Sequence, residues 1–469
     1  MASTPVTAGI REAVLARPRA IGAQKAFWLA VYFLSPLIPL STYFAGNWYT
    51  FFHSWSLAMT AGITAYVYML NQFILGARPR IWDRVFGLGA VLRFHGTMAV
   101  VSLGLLTLHM ALKNFYLFAY NAQVRLGQVA FTLFALIIVL TVLLMVENIL
   151  HKVEPLAALK RFSANRLRLR YQHLRLIHNF TAVAALLALF HVLLASSTRE
   201  QPLRGAVMAT WFILALGFYA YHKLVRPSLT RRKAAGVSAV RKDAEGIYTI
   251  ELEGSHIEHR AGQFAYFRFL DGRPSREEHP YTISSSPSAE RLSFSAKASG
   301  DWSSRLSEVQ PGDRVAVDGP YGTFSYLRVD ENAPLVFLAG GIGITPYLSM
   351  LRYAAEAGSA RSIHLVWGVR KAEELCYLSE LEGLKGRLPG LTVTPVVSRD
   401  ASFTGRRGRI DADLLRQLGL LGSRVEKEAR TLEAHWFLCG PTSMMEDLLK
   451  VLRKAGIRRR KIHFERFTM

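Results

Sequence analysis

Four histidines have the type and spacing to hold metal-centred cofactors: His95 and His109 in the third apolar block of the chain, and His178 and His191 in the fifth. An imidazole offers a neutral nitrogen ligand. The first pair is fourteen residues apart and the second thirteen, so on α-helices the separations are roughly 21 and 20 Å. Two such pairs facing one another would hold two cofactors at two depths of a bilayer. Fourteen residues is close to four turns and sets His95 and His109 within about 40° on one face, whereas thirteen sets His178 and His191 about 140° apart. A local irregularity, or two different ring approaches, is therefore required in the fifth block. His173 shares a face with His191 but stands about 27 Å from it on a helix, which overshoots the first pair. It stays as the alternative to His178.

The elements that must carry these histidines are six apolar blocks, at about 26–45, 54–76, 88–112, 127–149, 172–197 and 206–223, each near the ~20 residues a bilayer requires. Six transmembrane helices are expected, and no removable signal peptide. The formal net charge is +23, and its placement matters more than its size. Through Lys233 there are 24 Lys and Arg against 5 Asp and Glu; the remainder of the chain has 33 against 29. The excess flanks the apolar blocks: Arg11, Arg17, Arg19 and Lys25 before the first, Arg78, Arg80 and Arg84 after the second, Lys160 to Arg170 after the fourth, and Arg226 to Lys233 after the sixth. Such runs set topology and touch anionic lipid, and they place both termini in the cytoplasm. Nucleic-acid binding is not expected. With this topology the third and fifth blocks both run outward. Inner His95 meets inner His178, outer His109 meets outer His191, and each pair is a natural axial ligand set for a b-type haem. Ionisable residues in such blocks are costly and are functional candidates by default.

Beyond Arg232 the apolar blocks stop. Residues 236–330 show short alternating runs broken by Gly and Pro, which predict a small antiparallel barrel. From Pro334 strands alternate with helical stretches: Leu335–Ala339 and a helix from Pro346, Ser362–Val366 and 372–384, Thr392–Val396, then Trp436–Leu438 and 441–455. That is a doubly wound nucleotide-binding layout. The glycine-rich turn 340–345 follows an apolar strand and opens a helix, so its N–H groups and the positive helix end can approach a pyrophosphate. The two cysteines, Cys376 and Cys439, imply neither a disulfide framework nor a cysteine metal site.

Several runs carry a family resemblance. His279-Pro280-Tyr281-Thr282-Ile283-Ser284-Ser285 resembles the flavin-binding strand of the ferredoxin–NADP reductase superfamily, in the form seen in membrane NADPH oxidases and ferric reductases, where His replaces the Arg of soluble members. Gly300-Asp301-Trp302-Ser303 resembles the helix start that holds the flavin pyrophosphate, and Asp318-Gly319-Pro320-Tyr321-Gly322 the turn closing the flavin barrel. Gly340-Gly341-Ile342-Gly343-Ile344-Thr345-Pro346 and Cys439-Gly440-Pro441 are similar to the two nicotinamide-nucleotide motifs. The terminal His463-Phe464-Glu465-Arg466-Phe467 is similar to the aromatic tail that covers the flavin, and the four histidines match the spacing of the six-helix membrane domain.

The resemblance implies a multi-domain membrane protein. A cytoplasmic segment 1–25 is followed by an all-α six-helix transmembrane di-haem domain at 26–228, an antiparallel β-barrel FAD domain at 229–330 and an α/β doubly wound NADPH-binding domain at 331–469. It implies that Tyr281 and Thr282 serve the isoalloxazine, that Ser303 and the preceding backbone serve phosphate, and that Cys439 shapes the hydride-transfer site. Phe467 stacks on the flavin, with Phe464 as the alternative. Ser398-Arg399 resembles the pair that holds the 2′-phosphate of NADPH, with Arg406 or Arg407 assisting and Arg370 as a second candidate. The expected activity is electron transfer from cytoplasmic NADPH through FAD and two b haems to an acceptor on the opposite side. That acceptor is dioxygen, giving superoxide, or a ferric chelate, or an extracytoplasmic redox partner protein.

Overall fold

The computed structural model describes residues 18–45, 50, 52–114, 121–145, 171–255, 257–272, 274–421 and 433–466. The basic run from Lys160 to Arg170 and Phe467 fall outside them, as do Arg11 and Arg17. The chain divides into two compact units, one comprising Gln24–Trp82 and Ala90–Arg226, the other Met1–Ala23, Asp83–Gly89 and Pro227–Met469.

The first unit is helical. Its elements are α1 (Pro18–Leu34), α2 (Leu37–Phe44), α3 (Ser54–Gly76), then, after α4 (Arg80–Phe86) of the other unit, α5 (Leu88–Asn114), α6 (Ala122–Met145), α7 (Tyr171–Asn179), α8 (Thr181–Leu194), α9 (Ser196–Arg199) and α10 (Pro202–Ala220). A π-turn at Tyr221–Val225 leads to α11 (Arg226–Arg232). Among the described residues five stretches are long and apolar enough to cross a membrane: Ile21–Phe44, Leu88–Asn114, Ala122–Leu143, Leu174–Leu194 and Pro202–Arg232. The sequence predicts six. The missing one is the second block, which does form the 23-residue helix α3 but is interrupted by Ser56, Thr60, Thr64, Asn71 and Gln72.

Those polar groups find partners inside the bundle, as side chains away from water must. Asn71 donates to Ser35 Oγ (3.0 Å) and accepts from Trp211 Nε1 (3.1 Å); Gln72 donates to Tyr32 Oη (2.7 Å); Tyr66 donates to the Met208 carbonyl (3.2 Å). Helix α3 is thus enclosed by its neighbours, with Ala58, Ala65, Val67 and Leu70 buried. On the outer helices Val100, Leu136, Phe190, Ile213 and Phe218 are exposed. The fifth block is not one helix. It breaks at Phe180, where Phe180 N–H turns back to the Ile177 carbonyl (3.0 Å) and Val183 N–H to the Phe180 carbonyl (3.0 Å). This irregularity lies between His178 and His191.

The second unit carries two sheets. Strands β1 (Ala235–Ala244), β2 (Ile247–Glu253), β3 (Phe264–Phe269), β4 (Glu278–Thr282), β5 (Leu292–Lys297) and β6 (Arg314–Tyr321) form an antiparallel sheet in the order β4-β3-β6-β1-β2-β5. Its two end strands meet at an Ile283–Phe294 bridge, where Ser284 N–H donates to the Ser293 carbonyl at 2.8 Å. Alternate side chains of the strands, among them Ile250, Leu252, Phe267, Phe269 and Phe294, build one apolar core. Within the same unit the Asp83 carboxylate of α4 accepts from Gly322 N–H at 3.0 Å.

The second sheet is parallel. It contains β7 (Leu335–Gly340), β8 (Ile363–Val369), β9 (Leu391–Val397), β10 (Arg406–Arg407), β11 (His435–Cys439) and β12 (Ile462–Glu465), ordered β10-β9-β8-β7-β11-β12. Every residue of β7 is buried, as expected for a central strand covered on both faces. Helix α12 (Thr345–Glu356) and α13 (Leu378–Lys385) cover one face; α14 (Ala412–Gln417) and α15 (Thr442–Lys454) cover the other. The order reverses between β7 and β11. The crevice beyond the carboxyl ends of those two strands is where open α/β sheets bind ligands.

Candidate functional site

In the helical unit the four histidines come together as two pairs. The ring centres of His95 and His178 are 6.1 Å apart with planes at 64°, and those of His109 and His191 are 6.4 Å apart at 82°. Two metal–imidazole bonds of roughly 2 Å, with each ring centre about 1 Å behind its ligating nitrogen, require about 6 Å. Both pairs meet that distance. A cavity of about 1250 Å³ adjoins the outer pair, lined in part by His109, His191, Tyr66, Phe131 and Leu106. Its polar end includes Lys113, Asn121, Arg199, Glu200 and Arg204, with the Lys113 ammonium 3.0 Å from the centre of the Trp55 ring. Of His173, on α7, only the backbone is described.

Tautomers follow from hydrogen bonding. His109 Nδ1 lies 2.7 Å from the Ala58 carbonyl and His191 Nδ1 2.8 Å from the Gln123 carbonyl. A carbonyl can only accept, so each Nδ1 carries the proton and each Nε2 has a free lone pair. Among the described residues no group of three or more His, Cys, Asp or Glu could hold a metal ion. Two imidazoles alone suit an iron whose remaining ligands come from a macrocycle.

In the antiparallel sheet, β4 presents His279, Pro280, Tyr281 and Thr282 opposite Phe267, Tyr266, Ala265 and Phe264 of β3. The Tyr281 ring is stacked between Phe294 (5.3 Å) and Trp302 (5.4 Å), and His279 lies 4.5 Å from Trp302. His279 Nε2 approaches Glu277 at 3.2 Å, while its buried Nδ1 has no hydrogen-bond partner among the described residues. Burial lowers its pKa against the opposing pull of Glu277. Ser303 Oγ accepts from the N–H groups of Ser299 (3.0 Å) and Gly300 (3.1 Å), which folds the Gly300-Asp301-Trp302 turn onto its own helix start.

Ser284 and Ser285 are buried and belong to the contact with the parallel sheet. The Ser284 carbonyl accepts from Arg352 (2.7 Å) and the Ser285 carbonyl from Ser349 (2.7 Å), both on α12. Arg352 is in turn held by Glu380 of α13 at 2.6 Å. Sequence patterns gave no hint of Arg352, because it joins a backbone carbonyl 68 residues before it to a carboxylate 28 residues after it.

At the switch point the two glycine motifs face each other. A Cβ on Gly343 would lie 2.4 Å from the Cys439 carbonyl oxygen, and one on Gly440 2.9 Å from Gly340 Cα. Only glycine permits this approach. Gly341 has φ +55°, and its carbonyl accepts from Trp367 Nε1 at 2.9 Å. Thr345 and Pro346 then open α12. Cys439 is 2% exposed; burial, with the Glu465 carboxylate nearby, pushes its thiol above the usual range. The direction of that shift favours the neutral thiol. Glu465, which pairs with Cys439 in the β11–β12 ladder, is the residue the sequence reading passed over, although it stands inside the tail motif. At the far edge Arg370, Ser398, Arg399, Arg406 and Arg407 are exposed together: Arg399 N–H donates to the Arg370 carbonyl (2.8 Å), and β10 pairs with the end of β9.

The tail strand is anchored by His463, stacked on Phe437 at 4.5 Å and hydrogen-bonded to His435 at 2.9 Å. Burial lowers both pKa values to about 4, aided for His435 by Lys461, Arg361 and Arg460 against the pull of Asp330, and for His463 by His435 and Arg328. Unfolding returns both rings toward about 6.5. The unfolded chain therefore binds more protons between the two values, and the stabilisation, complete above pH 6.5, is lost as pH falls toward 4. The melting temperature of the carboxy-terminal half is expected to drop over that window, and His463→Gln to flatten the drop. An unchanged pH profile in the variant would contradict this.

Comparison with known proteins supports the flavin and nucleotide sites. The FAD-binding domain family matches residues 248–325, and the oxidoreductase NAD-binding domain family matches 337–450. Ferredoxin–NADP reductase B of Sorangium cellulosum is 31% identical over 196 residues, 40% of this chain and 77% of that protein. The ferredoxin–NAD(+) reductase component of the Xanthobacter autotrophicus alkene monooxygenase system is 31% identical over 245 residues, 51% of this chain and 71% of that one. The reductase component of Rhodococcus jostii propane 2-monooxygenase is 26% identical over 245 residues, and the chain spans 63% of its length. Through its carboxy-terminal half the chain belongs to the ferredoxin–NAD(P) reductase family. That half carries an FAD-binding domain and an oxidoreductase NAD-binding domain. Among solved structures, a Neisseria gonorrhoeae ferredoxin NADP+ reductase overlaps at TM-score 0.43 with 24% identity, covering 50% of this chain and 98% of that one. A Malassezia yamatoensis flavohemoglobin overlaps at 0.46 with 18% identity, covering 88% and 98%.

Proposed function

We propose that this chain is a transmembrane NADPH oxidase of the NADPH oxidase and ferric reductase type, carrying electrons from cytoplasmic NADPH to dioxygen on the opposite side and producing superoxide. The observation that supports it most is the pair of imidazole pairs at iron-spanning distance in a chain that also carries an FAD- and nucleotide-binding half. Bound FAD supplies the conversion of a two-electron hydride into single electrons, which b haem accepts one at a time.

The residues have distinct tasks. His95 and His178 hold the inner haem, His109 and His191 the outer. The five apolar stretches and the enclosed α3 make six crossings, with both termini cytoplasmic. The bridge between β4 and β5 closes the antiparallel sheet into the flavin barrel. There Tyr281 and Thr282 face the isoalloxazine, and the His279 Nδ1 and the Gly300–Ser303 turn serve the pyrophosphate. Phe467 covers the flavin. Gly340, Gly341, Gly343, Gly440 and Pro441 form the crevice for the dinucleotide, and Cys439 packs beside the nicotinamide and keeps water from it.

NADPH is preferred to NADH because Arg370, Ser398 and Arg399 gather at the edge where an extra phosphate would lie, a geometry suited to bidentate arginine. Arg399→Ala is expected to raise KM for NADPH by roughly 10–100-fold, the loss of one charge-assisted contact, and to leave KM for NADH nearly unchanged. Equal effects on both nucleotides would exclude a phosphate contact.

The test is a reduced-minus-oxidised spectrum of the purified protein with NADPH, under air and under nitrogen with a ferric chelate, alongside cytochrome c reduction. Two b-type haems per chain and superoxide dismutase-sensitive cytochrome c reduction are expected. A haem-free spectrum would sink the reading. The names of the relatives, which are reductase components of oxygenase systems, support a second one: delivery of electrons to an extracytoplasmic partner protein. In that case the haems would be present and neither superoxide nor ferrous iron would form.

A further inference from the structure

The outer pair owes its geometry to two residues that bear no side chain. A Cβ on Gly62 would lie 2.6 Å from His109 Nδ1, and a Cβ on Gly127 would lie 2.5 Å from His191 Nδ1. Each glycine is four residues after the carbonyl that binds the same ring: Ala58 precedes Gly62 on α3, and Gln123 precedes Gly127 on α6. A notch one helical turn from an acceptor thus admits an imidazole edge-on, and the acceptor fixes which nitrogen is protonated.

The same arrangement recurs fourteen residues further along both helices, but incompletely. On α3 the position is Gly76, whose Cβ would be 3.9 Å from the His95 ring; the carbonyl of Gln72, four residues earlier, acts on that ring without reaching full hydrogen-bond geometry at its buried Nδ1. On α6 the position is Thr141. Its hydroxyl donates to the Ile137 carbonyl at 2.7 Å, filling the acceptor, and lies 3.5 Å from His178 Nδ1. Helices α3 and α6 therefore repeat the fourteen-residue interval of His95 and His109, with two tight seats outside and two loose ones inside.

We propose that Gly62 and Gly127 are positioning residues for the outer metal centre, and that they seat His109 and His191 with Nε2 aimed at one another, whereas the inner pair is seated loosely. The inference rests on the haem reading of the two pairs. Orientation of a ligating imidazole through its second nitrogen tunes the metal it holds, so the two centres differ in ligand rigidity by design of the helices that flank them.

The experiment uses the full-length protein purified in detergent, with haem per chain and the low-spin EPR signals of the two centres as readouts. NADPH–ferricyanide reduction and a single size-exclusion peak report folding. Gly62→Ala and Gly127→Ala are each expected to reduce haem from two per chain toward one, with the outer signal lost or shifted and the inner one unchanged. Thr141→Gly, which frees the Ile137 carbonyl, is expected to move the inner signal alone. Gly104→Ala, on α5 with nothing within 4 Å of the added carbon, is expected to keep both. Two haems with unaltered signals in Gly62→Ala and Gly127→Ala would overturn the assignment, as would equal losses in Gly104→Ala. A wild-type protein without a b-type spectrum would instead overturn the haem reading itself.

Discussion

Replacing His109 with alanine is expected to halve the bound haem, from two per chain to one. NADPH-driven electron delivery across the membrane should fall by more than about 100-fold, since the loss of outer-shell support alone weakens metal sites by roughly 10–100-fold. The residue is a ring 6.4 Å from its partner His191, fixed by the Ala58 carbonyl at 2.7 Å and bordered by a cavity of about 1250 Å³. Alanine removes the imidazole without touching the carboxy-terminal half, so NADPH should still reduce ferricyanide at the flavin. Free imidazole can enter the vacated space, and partial recovery of the outer haem spectrum on adding it would tie the loss to the missing ring. Retention of two haems in the variant would refute the ligand assignment.

Gly343→Ala is expected to act at the other end of the path. Its Cβ would meet the Cys439 carbonyl oxygen at 2.4 Å and Gly440 Cα at 2.9 Å. Both are backbone atoms at the end of β11, which cannot rotate away. Overpacking of this kind costs about 1–3 kcal/mol, or a few degrees of melting temperature at roughly 2–4 °C per kcal/mol. The functional loss should be larger than the structural one. Separating the ends of β7 and β11 opens the switch-point crevice, so NADPH oxidation should fall on the order of 100-fold while FAD stays bound to the antiparallel sheet. Gly383→Ala on α13, with nothing within 4 Å, is the control, and helix propensity makes it neutral or mildly stabilising. Stopped-flow reduction of the flavin by NADPH measures the effect. Unchanged rates would mean that the glycine only packs.

What was legible in the sequence was what periodicity and turn chemistry encode locally. The parallel strands were visible because β7 and β11 are nearly continuous apolar runs between glycine turns and amphipathic helices, and burial on both faces demands such runs. The antiparallel strands alternated, as half-buried strands do. The histidine pairs were visible because fourteen residues is a near-integral number of helical turns. The second block is explained only by the bundle. Its length predicts a span, but Asn71, Gln72 and its hydroxyl residues lower its hydropathy below that of the other five, and only the bundle shows that these groups bond to Ser35, Tyr32 and Trp211.

By itself, then, the sequence carried the residue types and their order: histidines in apolar helices, a strand of the FAD-binding domain, two glycine turns and a group of arginines. Tertiary structure alone decided which atoms meet. The irregularity at Phe180 has no mark in the apolar pattern, and the two facing pairs form across a thirteen-residue interval only in the packed bundle. Ser284 and Ser285, which stand within the motif that resembles a flavin strand, turn their carbonyls to α12. The notches at Gly62 and Gly127 could not be read from the chain, since a glycine becomes a seat only when a ring from another helix arrives against it.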